Sequence, residues 1–189
     1  MSERDPTSAV NVTETWDDNV LTKGDPAYVI AWEEVRDRIA GASDYWVSTV
    51  RASGAPHVRP VFAVWVDGLL VSTTNGTRAK ARNLEANPRV SFATRADGID
   101  LIIEGRAAFV TDTALLERIA QAYLVKYGWP LEIREGEGFH APFAAPAAGP
   151  PPFRPYAVTP LVVYAMGVTD ELGPRTTRFT FQATAEVAS

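Results

Sequence analysis

The stretch that decides the fold is RPVFAVWVDGLLVSTTNGTRAKARNLEANPRV, residues 59–90. It divides into an apolar strand, a tight Asp67-Gly68 turn, a second strand ending in Ser72-Thr73-Thr74, a short loop, and a helix expected over residues 77–86. Arg78, Lys80 and Arg82 fall in the first two turns of that helix, where unpaired N–H groups and the positive end of the macrodipole already lie. Each cation there costs about 0.3 kcal/mol or more, and a bound anion reverses the sign. A phosphate would collect backbone N–H donors, the Thr77 hydroxyl, the hydroxyls of Ser72, Thr73 and Thr74, and the basic side chains together. The competing reading leaves Arg78 and Arg82 solvated, with Lys80 along the surface and its stem on the barrel.

Arg59 strengthens the first reading. Period-2 alternation over residues 57–66 puts Arg59 on one face with Val61 and Ala63, and Val58, Phe62 and Val64 on the other. Pro60 cannot donate to a ladder, so this strand is expected at an edge or a bulge, where a ligand can approach the backbone.

Four separated pieces of the sequence occur together in order: Arg59-Pro60-Val61, Ser72-Thr73-Thr74, residues 77–84 (TRAKARNL) and residues 87–91 (NPRVS). They resemble the flavin-binding core of the pyridoxamine 5'-phosphate oxidase-like family, the FMN-binding split barrels that include actinobacterial flavin/deazaflavin oxidoreductases. The resemblance covers residues 45–110 well and is looser beyond, with residues 177–181 (TRFTF) similar to the closing strand of the group. It implies a mainly β fold, a split barrel with flanking helices. It implies that Arg59 and Lys80 hold the cofactor phosphate, aided by Thr77 and Arg78. The main chain of Pro60, Val61 and Phe62 would line the isoalloxazine edge, and Ser72, Thr73 and Thr74 the ribityl-phosphate end. A homodimer with the cofactor between subunits is implied too.

Composition narrows the function classes. The chain has 189 residues, 46% hydrophobic and 22% charged, which suits one globular domain burying about 70% of its unfolded surface. A net charge of -5 argues against a nucleic-acid track, so the Arg78/Lys80/Arg82 cluster reads as a small-anion site. The absence of cysteine excludes disulfides, thiolate ligands and cysteine nucleophiles. His57 and His140 are too few and too far apart for a convincing metal site. No apolar leader and no stretch near 18 apolar residues occur, so a cytoplasmic protein with no membrane or nucleic-acid partner is expected.

Residues 1–24, rich in Ser, Thr, Asp and Glu, are expected to be a flexible N-terminal segment with partial order near Trp16, and residues 25–189 a single split-barrel domain. Asp25-Pro26 is expected to start a helix ending at Gly41, its Trp32 more a core residue than a cofactor contact. Strands are expected at residues 45–50, 89–94 and 99–110, with Gly105 a bulge or bend. Asp112 is expected to cap an amphipathic helix ending at Gly128, carrying Tyr123 and Tyr127, either as core or, with Trp129, as a cavity wall. Residues 138–155, rich in Pro and Ala, are expected to form a loop, either a lid presenting Phe139, His140 and Phe143 or a disordered segment. Strands at residues 161–166 and 176–181 close the chain, and Arg178 is a candidate for reaching a cofactor in the partner subunit.

The sequence shows no Ser/His/Asp triad, no paired catalytic carboxylates and no metal motif, so no catalytic residue is assigned. The resemblance supplies the chemistry: an oxidoreductase that binds FMN and transfers hydride to or from a small conjugated or heteroaromatic substrate. The pyridoxamine oxidases carry a C-terminal Arg-x-His element, and this chain has no histidine after His140, which disfavours vitamin B6 oxidation. The Thr177-Arg178-Phe179 pattern looks closer to the deazaflavin reductases, making coenzyme F-420 an alternative cofactor. A non-catalytic flavin- or haem-binding barrel is the reading from another class.

Overall fold

The computed structural model describes residues 4–13, 23–144, 148–169, 172–173 and 175–182. In chain order the elements are β1 (Ser8–Asn11), a 3-10 turn (Pro26–Tyr28), α1 (Trp32–Gly41), β2 (Tyr45–Val50), β3 (Pro56–Val61), β4 (Ala63–Val66) and β5 (Leu69–Asn75). There follow α2 (Ala79–Ala86), β6 (Arg89–Ala96), β7 (Ile99–Phe109), α3 (Thr113–Tyr127), β8 (Glu132–Arg134), β9 (Gly138–His140), β10 (Phe153–Gly167) and β11 (Thr176–Thr180). The sheet runs β1-β11-β10-β7-β6-β2-β3, with β5 also on β10 and β4 on β5.

β10 joins the two halves. Over Phe153 to Val158 it pairs with β5, and from Tyr156 onward its other edge pairs with β7. Past a register shift between Pro160 and Val162 it lies between β7 and β11. The neighbours change where the ladder is interrupted, and a proline at a bulge costs no ladder bond. Gly105 stands directly opposite Pro160, and a Cβ there would lie 2.3 Å from the Thr159 carbonyl oxygen. The irregularity expected at Gly105 is therefore on the facing strand, and Gly105 is what lets that strand come close.

Two apolar clusters flank β4 and β5. The barrel interior holds Tyr45, Val47, Leu70, Phe92, Ile103, Tyr156 and Phe179, closed by Trp32, Val35 and Ile39 of α1. Trp32 packs with Phe179 and Phe181 at 5.2 and 5.1 Å, a core residue as expected. The second cluster lies under α3, where Leu116, Ile119 and Tyr123 meet Val64, Val71, Phe139 and Phe153. Asp112 caps α3 by accepting from the Leu115 N–H, and Gly128 ends it at φ 62°, both as expected. Tyr123 is fully buried.

Several expectations need correction. The helix expected from Asp25 is a 3-10 turn followed by α1, because the Ile30 N–H donates to Thr177 Oγ1 at 2.9 Å and holds the intervening chain extended against β11. The strand over residues 57–66 breaks at Phe62: β3 pairs with β2, whereas β4 pairs with β5. Val58 and Phe62 are exposed, but Val64 is buried because α3 covers that face of β4. Within the N-terminal segment expected to be flexible, Ser8–Asn11 forms β1 on β11; Trp16 lies outside the described residues. The Pro/Ala-rich region is not all loop, since β9 pairs with both β8 and β10, and Phe139 and Phe153 are fully buried. Phe139 therefore cannot face a substrate, and His140 pairs with Glu137 at 2.7 Å.

Gly105→Ala forces a methyl group onto the β10 backbone, so it should lower stability by about 1–3 kcal/mol. Urea unfolding measures this, and an unchanged midpoint would mean that β10 yields freely.

Candidate functional site

The break at Phe62 opens a cleft. β3 is an edge strand bonded to β2, as Pro60 requires, and β5 belongs to the other half of the sheet. Between them is a cavity of about 310 Å³. Arg59, Pro60, Val61 and Phe62 line it from one side, and Ser72, Thr73, Thr74 and Asn75 from the other. Arg78, Ala79 and Lys80 close one end at the start of α2. α2 begins two residues later than expected, with Arg78 as its N-cap and no side-chain capping bond.

Lys80 is the buried charge of the site. It is 9% exposed, and its Nζ donates to the Thr73 carbonyl at 2.9 Å and lies 5.3 Å from the Tyr156 ring centroid. Burial brings its pKa down to about 8. The surface-lying lysine of the competing sequence reading is thus not what the fold builds. Arg59 donates to the neighbouring Val58 carbonyl at 2.8 Å, whereas the Arg78 side chain makes no hydrogen bond to the described residues. Three cationic side chains therefore converge on a cleft that, among the described residues, no carboxylate lines.

Thr77 stands beside the cleft. Its N–H and its hydroxyl both donate to Asn75 Oδ1, at 2.8 and 2.6 Å, so the hydroxyl proton expected to face an anion is engaged in the turn. Arg82 is exposed and donates to the Thr77 carbonyl at 2.7 Å. Arg178 is exposed on β11, opposite Tyr164 and Val10, and is not brought to the cleft within this chain.

The structure adds residues that sequence reasoning missed. His57 shares the inward face of β3 with Arg59, a parity legible in the sequence. Its Nδ1 is 3.3 Å from Thr49 Oγ1, which accepts from Asn83 Nδ2 at 2.9 Å. Burial, then the charges of Arg59, Arg51 and Lys80, hold the imidazole below its usual pKa, so it is neutral at pH 7. Phe153 stands 5.3 Å from Trp129, the cavity-wall candidate of the sequence, and the two form an apolar wall with Ala148; no local signal links Phe153 to residues 59–80. Tyr127 stacks under Phe62 at 4.5 Å, so it supports the rim.

This donor set suits a phosphate: a buried ammonium, two guanidiniums and no competing acid. The apolar strip of Pro60, Val61, Phe62 and Trp129 suits a flat ring beside it. Among the described residues no group of three or more His, Asp or Glu is placed to hold a metal ion, and no helix is long and apolar enough to cross a membrane.

Residues 31–166 match the family model described as pyridoxamine 5'-phosphate oxidase. The chain belongs to the pyridoxamine 5'-phosphate oxidase-like family. The split-barrel architecture agrees with solved structures of low sequence identity. A haem-binding protein from Mycobacterium smegmatis superposes with TM-score 0.60 at 18% identity, over 78% of this chain and 57% of that one, so the present chain spans little more than half of its length. A conserved hypothetical protein from Mycobacterium tuberculosis gives 0.59 at 17%, over 88% and 100%. A pyridoxamine 5'-phosphate oxidase-related, FMN-binding protein from Nostoc punctiforme gives 0.52 at 16%, over 80% and 88%. No curated protein matches the sequence.

The lowered pKa of Lys80 has a consequence for stability. Holding the ammonium in the folded chain costs on the order of 3 kcal/mol below about pH 8. The cost disappears as pH rises toward the ordinary lysine value, where the unfolded chain also loses the proton. Relative to Lys80→Met, the wild type should therefore gain on the order of 3 kcal/mol between pH 7 and pH 10.5, measured by urea unfolding at both. A constant difference would show that Lys80 titrates normally.

Proposed function

We propose that this member of the pyridoxamine 5'-phosphate oxidase-like family is a homodimeric FMN-dependent oxidoreductase. The observation that carries the reading is the acid-free cleft in which Lys80, Arg59 and Arg78 meet beside an apolar strip. FMN, when bound, supplies the hydride chemistry, and its substrate is a small conjugated or heteroaromatic molecule. The chain's own residues do the rest. Lys80 and Arg59 hold the phosphate, with Arg78 adding charge from the helix start. β3 is a sheet edge at Pro60 and Val61, so a ligand can approach its backbone on the side away from β2, and Trp129 with Phe153 keeps water from one wall. His57, neutral and aligned by Thr49, faces the cleft without adding charge.

The dimer is part of the same proposal. Trp46, Val58 and Phe62 are 48%, 47% and 40% exposed, and Trp46 stands opposite Pro60 in the β2–β3 ladder. Large apolar side chains exposed at the rim of a cleft support a second copy as their cover. Arg178, remote from the cleft of its own chain, is available to a neighbour's.

Arg59→Ala and Lys80→Ala should each weaken FMN binding roughly ten- to hundredfold, because a charge-assisted hydrogen bond contributes about 1.5–3 kcal/mol. Riboflavin, which lacks the phosphate, should lose far less. Fluorescence titration of both ligands checks this, and equal losses would remove the two residues from the phosphate site. Bleaching of the bound flavin by a reductant, and its recovery with an electron acceptor, then separates an enzyme from a carrier.

A further inference from the structure

We infer that the cleft selects a cofactor whose phosphate is terminal, a phosphomonoester such as FMN, and rejects those whose phosphate continues into another group, as in FAD or the deazaflavin coenzyme F-420. The inference rests on the flavin reading above and deepens it. Its basis is the described segment from Ala148 to Phe153, which this chain lays across the cationic end of the cleft.

Three contacts fix that segment. Asn75 Nδ2 donates to the Pro150 carbonyl at 2.7 Å, and the same side chain's Oδ1 holds the turn into α2. Gly149 lies against Arg78 so closely that a Cβ would be 2.5 Å from Nη2, and its φ of +81° is one that a side chain would strain. Phe153, fully buried, pairs with Asn75 in the β5–β10 ladder and anchors the far side. Ala148 lines the cleft itself.

The geometry has a direct chemical consequence. The flavin reading sets the ring against Pro60, Val61 and Phe62 and the phosphate among Lys80, Arg59 and Arg78, and Ala148 lines the same cleft. A phosphate ester that ends there presents its oxygens to the cations and needs no space beyond them. A phosphate that continues into a second group, through an anhydride in FAD or a second ester in coenzyme F-420, must send a further chain past Arg78, against which Gly149 lies. Entry would displace that backbone and break the bond from Asn75, leaving the buried Asn75 amide without that partner.

The test is equilibrium binding of FMN, FAD and coenzyme F-420 to the wild type and to Pro150→Gly, which loosens the segment and leaves the Asn75 Oδ1 that holds the turn into α2 in place. Pro151→Gly is the second variant should Pro150→Gly fail to fold. The wild type should bind FMN at least about tenfold more tightly than FAD or coenzyme F-420. Releasing the segment should narrow that preference to within about threefold. Equal binding of FMN and either FAD or coenzyme F-420 by the wild type would overturn the inference while leaving the flavin reading in place, as would a preference unchanged in a folded variant. Failure of all three to bind would overturn both.

Discussion

Lys80 reaches its place because α2 begins at the open end of the split barrel, and the corner that starts α2 is held by one side chain, Asn75. There the ammonium is buried with one carbonyl and the face of an aromatic ring for company. A charge with so few partners is costly in the folded chain, and burial alone lowers its pKa to about 8. A purely structural site of this size would be filled more stably by an apolar side chain. Its persistence makes sense when an anion completes it, and the surrounding residues are arranged accordingly, with cations and neutral donors but no acid.

The cleft in turn depends on how the sheet divides. β10 exchanges β5 for β11 as its neighbour at the bulge beside Pro160, and Gly105 allows the close approach. At the other side, the chain leaves β2 at Phe62 and joins β5 through β4. The edge strand carrying Arg59 and the strand carrying Thr73 are therefore held apart by connections that are themselves well packed. A gap between two rigid halves keeps its shape, which suits a site whose task is to orient a cofactor.

Much of this was legible in the sequence because it is local. The Asp67-Gly68 turn, the Asp112 cap and the Gly128 stop each follow from residues adjacent in the chain. Pro60 marks an edge strand, and the basic helix start marks the cationic end of the cleft. What escaped the sequence depends on distant contacts. Val64 is buried only because α3 lies over β4, and the 3-10 turn replaces a helix only because Thr177 holds Ile30. Phe153 comes to the cleft at the start of β10, which no periodicity near residue 59 announces. The Pro-rich run hid the start of β10, since proline was read as excluding a strand that here tolerates Pro155 and Pro160.

The most direct test of the anion site is the titration of Lys80 itself, followed by the Cε chemical shift in selectively labelled protein, free and with FMN. The account predicts a midpoint near pH 8 in the free protein that moves upward when FMN binds, because the phosphate favours the charged form. A midpoint at the ordinary lysine value, unmoved by FMN, would contradict it.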